Sequence, residues 1–112
     1  MSTTTVGEHD RHAQALRAAM AGKAGRTDAA LRTAVAARAA GGSAAPPPYD
    51  DLARRIGEAS YRVTDAQVQA VRDVSGSDKA AFEIVMSACV GAGLSRWDIA
   101  GRVIQEADDA TV

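Results

Sequence analysis

The sequence is poor in the residues that build disulfides and large cores. Its 112 residues include one cysteine, one tryptophan and one phenylalanine, and aromatic residues make up only 4%. A lone cysteine excludes an intrachain disulfide, which indicates a cytoplasmic protein. Because a core made mainly of Val, Ile and Ala is thin, the composition also favours stabilisation by oligomerisation.

The sequence has neither the excess positive charge typical of nucleic-acid-binding proteins nor an apolar run long enough to cross a membrane. The formal net charge is -1, so no basic surface is expected for nucleic acid or anionic lipid. No apolar run approaches the roughly 20 residues that span a bilayer. The opening M-S-T-T-T-V-G-E-H-D lacks the apolar segment of a secretory signal. The many Arg and Ala residues are a bacterial-type composition.

Helix start and stop signals predict an all-α fold, a small bundle of about five helices with no sheet. Thr27 or Asp28 can cap a helix that stops at Gly41, and Thr64 forms a capping box with Gln67. The predicted organisation is a disordered lead-in (1–8), an N-terminal helical segment (9–42), a Pro-rich linker (43–48), a core helical domain (49–107) and a frayed tail (108–112).

The apolar residues of the second half predict a central helix that begins at Asp78. Its inner face is predicted to carry Phe82, Val85 and Cys89. The following Gly91-Ala92-Gly93 either ends this helix or allows another helix to approach closely. Seven residues are predicted to form the core or an interface: Phe82, Val85, Met86, Cys89, Leu94, Trp97 and Ile104.

The sequence contains no complete set of catalytic residues or metal ligands, so the candidate site residues are considered one or two at a time. Cys89 is the obvious nucleophile, but its place on an apolar helix face favours a buried, inert thiol. His9 and His12 could reach one metal ion if helical, although a solvated helix start is the commoner role. Glu83 could be a carboxylate of raised pKa, or a partly exposed partner of Lys79. No metal and no cofactor are predicted.

Residues 49–105 resemble a short branch of the carboxymuconolactone decarboxylase and AhpD-like superfamily. The resemblance lies in Tyr61-Arg62-Val63-Thr64-Asp65, in Phe82-Glu83, and in Val90-Gly91-Ala92-Gly93-Leu94 followed by an Arg-bearing helix. It implies an all-helical fold whose chains assemble into trimers or hexamers.

The redox members of this superfamily use a Cys-x-x-Cys pair, an upstream Glu and a downstream His. Here Met86 stands at Cys-x-x-Cys spacing from Cys89, and no His follows. The sequence therefore predicts a non-catalytic or degenerate AhpD-like protein that acts by oligomeric assembly or as a small subunit. The alternative is a divergent decarboxylase- or alkylhydroperoxidase-like enzyme that uses Cys89 or Glu83 in a site completed by another chain.

Overall fold

The fold is all-α, as predicted, and its computed structural model describes residues 2–110. Within these residues there are five α-helices, one 3-10 turn and no strand. The helices are α1 (Ser2–Ala21), α2 (Ala29–Ala39), α3 (Tyr49–Ala59), α4 (Asp65–Ser75) and α5 (Asp78–Ala110), and the 3-10 turn is Ser60–Arg62.

The helix starts show the predicted capping chemistry. The Thr64 hydroxyl accepts a hydrogen bond from the Gln67 backbone N–H (3.2 Å), and the Gln67 side chain accepts one from the Thr64 N–H (3.0 Å). Asp28 caps α2 by accepting from the Ala30 N–H. After α2 ends, Gly41 has a φ of 96°, a left-handed conformation that glycine adopts without steric cost.

The two ends of the chain differ from their predicted form. Helix α1 begins at Ser2 rather than at His9, so residues 2–8 are helical and not an irregular lead-in. A single glycine, Gly7, does not interrupt a helix that contains no proline. At the other end α5 continues to Ala110, so residues 108–110 extend the helix. Met1 and residues 111–112 lie outside the described residues.

Helix α5 runs without a break through Gly91-Ala92-Gly93, so the predicted stop there is wrong and the close helix contact is right. A Cβ built on Gly91 would lie 2.6 Å from Ala36 Cα and 2.7 Å from its carbonyl carbon. Gly91 is therefore where α2 crosses α5 at backbone contact. With 33 residues, α5 is about 50 Å long at 1.5 Å per residue, and the molecule's longest dimension is 54 Å.

The core lies where α2, α3 and α5 meet, with Val71 of α4 closing one side. Its largest fully buried side chains are Leu52, Ile84, Val35 and Val71. Helix α5 contributes Ile84 and three alanines, Ala81, Ala88 and Ala92, to this core. The predicted inner face of α5 was therefore wrong: Phe82 is 64% exposed, and Val85 only packs against the core's edge. Phe82 lies about 180° around the helix from Gly91, so it faces away from α2.

Candidate functional site

An exposed apolar row along α5 is the main surface feature of the described chain. We call it the α5 stripe, and its seven residues are Phe82, Met86, Cys89, Gly93, Trp97, Ala100 and Ile104. At about 100° per residue they fall within a sector of about 80°, on the side of α5 opposite its buried face. Phe82 is 64% and Ile104 62% exposed. The stripe is therefore a continuous apolar face that water covers in the single chain.

The stripe continues along the C-terminal part of α5, which is more exposed than the rest of the helix. Every residue from Arg96 to Ala110 is exposed. The prediction that Trp97 and Ile104 belong to the core is therefore wrong for the single chain. Their predicted role as interface residues stays a prediction, as it does for Phe82, Met86 and Cys89.

The prediction that Cys89 is buried is also wrong, because this cysteine is exposed. The core face of α5 is formed by Ala88 and Ala92, and Cys89 lies one residue away from it, about 100° around the helix. Its sulfur therefore belongs to the surface of the single chain. Leu94, the remaining predicted core or interface residue of α5, is half-buried.

A groove between α1 and α5 runs along one edge of the stripe. Its volume is about 410 Å³ and its lining is mainly apolar. The residues that line it are His9, His12, Ala13, Leu16, Cys89, Val90, Gly93, Leu94 and Trp97. The structure thus brings the only cysteine and both histidines, which are more than 70 residues apart in sequence, to one groove. No sequence signal indicated this, because nothing in α1 specifies where it packs.

Polar contacts fix α1 beside α5 at this groove. Arg17 Nη2 lies 2.6 Å from both carboxylate oxygens of Asp98. Trp97 donates its indole N–H to Asp10 (3.3 Å), and its ring meets that of His9 edge-on with centroids 6.0 Å apart. Trp97 is therefore oriented by α1 on one side while its other side remains part of the stripe.

The groove offers little catalytic or metal-binding chemistry. The ring centroids of His9 and His12 are 6.4 Å apart. Among residues 2–110, no group of three or more His, Cys, Asp or Glu side chains could hold a metal ion. The chain has no second cysteine for a dithiol mechanism, and Glu83, the predicted acid–base candidate, does not line the groove.

Glu83 instead organises the loop between α1 and α2. Its carboxylate accepts hydrogen bonds from the Arg26 N–H (2.7 Å), the Thr27 N–H (3.0 Å) and the Thr27 hydroxyl (2.9 Å). Arg32 Nη1 lies 3.8 Å away. The two backbone N–H groups, aided by the Thr27 hydroxyl and Arg32, outweigh burial and hold the pKa of Glu83 below its usual value. The predicted raised pKa and the pairing with Lys79 are wrong.

We expect the substitution Glu83→Gln to reduce stability most at neutral pH. The pKa of Glu83 is lower in the folded chain than the ordinary 4.5, so its stabilisation is complete above that value. It is lost as the pH falls through the folded pKa. The difference in urea midpoint between wild type and variant should therefore shrink from pH 7 to pH 3. The exposed Glu58→Gln is the control, and an equal Glu83→Gln difference at every pH would contradict this role.

Comparisons with protein-family models, with curated proteins and with solved structures find no match to this chain. Over the part of the chain that the structure describes, no helix combines the length and the apolar character needed to cross a bilayer.

Proposed function

We propose that this protein acts by association, as a cytoplasmic, AhpD-like assembly protein with no reaction of its own. The observation that carries the proposal is the exposed α5 stripe. Phe82, Met86 and Ile104 are large apolar side chains, and water covers them in the single chain. Covering such a row with another protein surface removes its apolar area from water, which is the main driving force of association.

The length of α5 supports the same proposal. From Arg96 onward every described residue of the helix is exposed, and this part carries Ile99, Val103 and Ile104 on its surface. Isolated helical segments are marginal in water, and their stability comes mainly from packing an apolar face. A partner that packs on the stripe would supply that packing. The AhpD-like assignment itself is supported by the all-helical fold and by the sequence motifs that suggested it.

The geometry favours association over the enzymatic alternative. Glu83 is held by three hydrogen bonds from the α1–α2 loop, so it serves the fold rather than a reaction. Cys89 lies on the stripe and at the edge of an open groove, with no carboxylate among the groove's lining residues.

The test is the mass of the protein isolated gently from its source cells, compared with that of two charge variants. The wild-type chain should be found in a complex heavier than its own 11.5 kDa. Met86→Glu places a charge on the stripe, so we expect it to weaken the complex about a hundredfold. Val74→Glu is the matched control, because Val74 is 59% exposed on α4 and lies off the stripe.

Two results would refute association through the stripe. One is a wild-type protein found only as the 11.5 kDa chain. The other is a complex that Met86→Glu and Val74→Glu disturb equally, because the contact surface would then lie elsewhere.

A further inference from the structure

The groove between α1 and α5 has the size and the lining of a site for a small molecule. Its volume of about 410 Å³ falls within the roughly 300–1,000 Å³ that is usual for such sites. Its lining is mainly apolar, and the polar side-chain groups in it are two imidazoles, one thiol and one indole N–H. A mostly apolar surface with a few polar groups is the usual composition of a ligand site.

The charge of the groove favours an uncharged ligand. Among the described residues that line it, none is an Asp, Glu, Lys or Arg. At its edge Arg17 and Asp98 pair with each other, and the Asp10 carboxylate accepts the Trp97 indole N–H. An ion that entered the groove would lose its water and find no free opposite charge, which is unfavourable.

Adjoining rings in the groove favour an aromatic ligand. His9 meets His12 edge-on at a centroid distance of 6.4 Å, and it meets Trp97 in the same way at 6.0 Å. Trp97 is oriented by its hydrogen bond to Asp10, yet 38% of its surface remains exposed. An aromatic ring placed beside these groups extends their edge-to-face packing, which an aliphatic ring of the same size cannot do.

The two imidazoles favour a ligand that forms hydrogen bonds. Both histidines are exposed, and the structure gives neither ring a hydrogen bond to another described residue. A molecule that covers these rings displaces the water on their nitrogens, so it has to replace those hydrogen bonds. A hydroxyl group serves a neutral imidazole well, because it can both donate and accept.

We propose that the groove between α1 and α5 binds an uncharged aromatic molecule that carries a hydroxyl group. The ring lies against Trp97 and the apolar side chains of Leu16 and Leu94, and the hydroxyl forms a hydrogen bond with an imidazole. This inference goes beyond association through the α5 stripe and does not depend on it.

Phenol is the probe for this site, because it is a small uncharged aromatic molecule with one hydroxyl. It is titrated at pH 8 into the purified full-length protein labelled with ¹⁵N. The Trp97 indole N–H resonance reports occupancy, since the chain has no other tryptophan. We expect a dissociation constant of about a millimolar, as for any molecule so small. Cyclohexanol should bind about fivefold more weakly, for want of an aromatic ring. Benzoate should bind about tenfold more weakly, because it is charged.

Two leucine variants locate the site. A Cβ built on Gly93 meets no described atom within 4 Å, so the side chain of Gly93→Leu enters the groove without striking the backbone. It should weaken phenol binding about tenfold, because it fills the space of the ligand. Gly101→Leu is the matched control, since Gly101 is equally open but does not line the groove. In the wild type, phenol should also slow alkylation of the Cys89 thiol, which lines the same groove.

Several results would overturn the inference. One is an unchanged Trp97 resonance with undiminished Cys89 alkylation at saturating phenol. Another is equal binding of phenol, cyclohexanol and benzoate, or equal loss in the two leucine variants, because the binding would then be unspecific. Met86→Glu separates this inference from the proposed function. Met86 does not line the groove, so this variant should bind phenol like the wild type whether or not it disturbs the source-cell complex.

Discussion

Replacing Gly91 with alanine is expected to destabilise the fold by about 3 kcal/mol, at the upper end of the usual cost of overpacking. The added methyl group would lie within 2.7 Å of both Ala36 Cα and its carbonyl carbon, and closer still to the carbonyl oxygen. These are backbone atoms in the middle of α2, so no side-chain rotation can relieve the contact. Helices α2 and α5 would have to move apart, which would loosen the packing around Val35 and Ile84.

Gly101→Ala is the matched control for this prediction. Gly101 also lies inside α5, but a Cβ there meets no described atom within 4 Å. Alanine should therefore stabilise the helix by about 0.5–1 kcal/mol. Urea unfolding of both variants and the wild type at one protein concentration gives the comparison. If Gly91→Ala were as stable as Gly101→Ala, the backbone contact between α2 and α5 would be wrong.

The second large effect is expected for Arg32→Met, which should cost about 3–5 kcal/mol. Arg32 is only 4% exposed, and its guanidinium donates hydrogen bonds to the carbonyl oxygens of Met20 (2.8 Å), Gly22 and Thr27. It thereby joins the end of α1 to the start of α2 and lies beside Glu83. Methionine fills similar space but leaves these carbonyl groups and the carboxylate without their donor.

Arg54→Met is the control, since Arg54 forms an exposed ion pair with Glu58 four residues on. Such pairs contribute about 0.5 kcal/mol or less. We also expect Arg32→Lys to recover only a small part of the loss, because an ammonium group cannot reproduce the fork of the guanidinium. Equal urea midpoints for Arg32→Met and Arg54→Met would show that the Arg32 network does not hold the α1–α2 loop.

Local signals in the sequence predicted the helices but not their faces. The capping box at Thr64 and the glycine stop at Gly41 depend on neighbouring residues, and the structure confirms both. The inner face of α5 depends on what packs against it. Its apolar residues extend around most of the helix, and the prediction chose the larger ones. The face that meets α2 carries Ile84, Ala88 and Ala92 instead, and Phe82 and Cys89 remain on the surface.

The sequence predicted only part of the candidate site, because the face that a helix buries depends on what packs against it. Five of the seven stripe residues were singled out as core or interface residues. Gly93 was considered only as part of a stop or a close helix contact, since a glycine gives no side-chain signal until its helix face is known. The groove was missed because long-range contacts such as Arg17 to Asp98 place α1. Arg32 was missed because a buried arginine is recognised by the carbonyl oxygens around it, not by its neighbours in sequence.

Trp97 makes the central claim, that another protein surface covers the α5 stripe, directly measurable. It is the only tryptophan, and it lies on the stripe. Sedimentation equilibrium and Trp97 fluorescence should be followed while the complex isolated from source cells is diluted. We predict that the mass of the species that contains this chain falls to 11.5 kDa while the emission shifts to longer wavelength as water reaches the indole. A mass of 11.5 kDa with unchanged emission at every concentration would contradict this account.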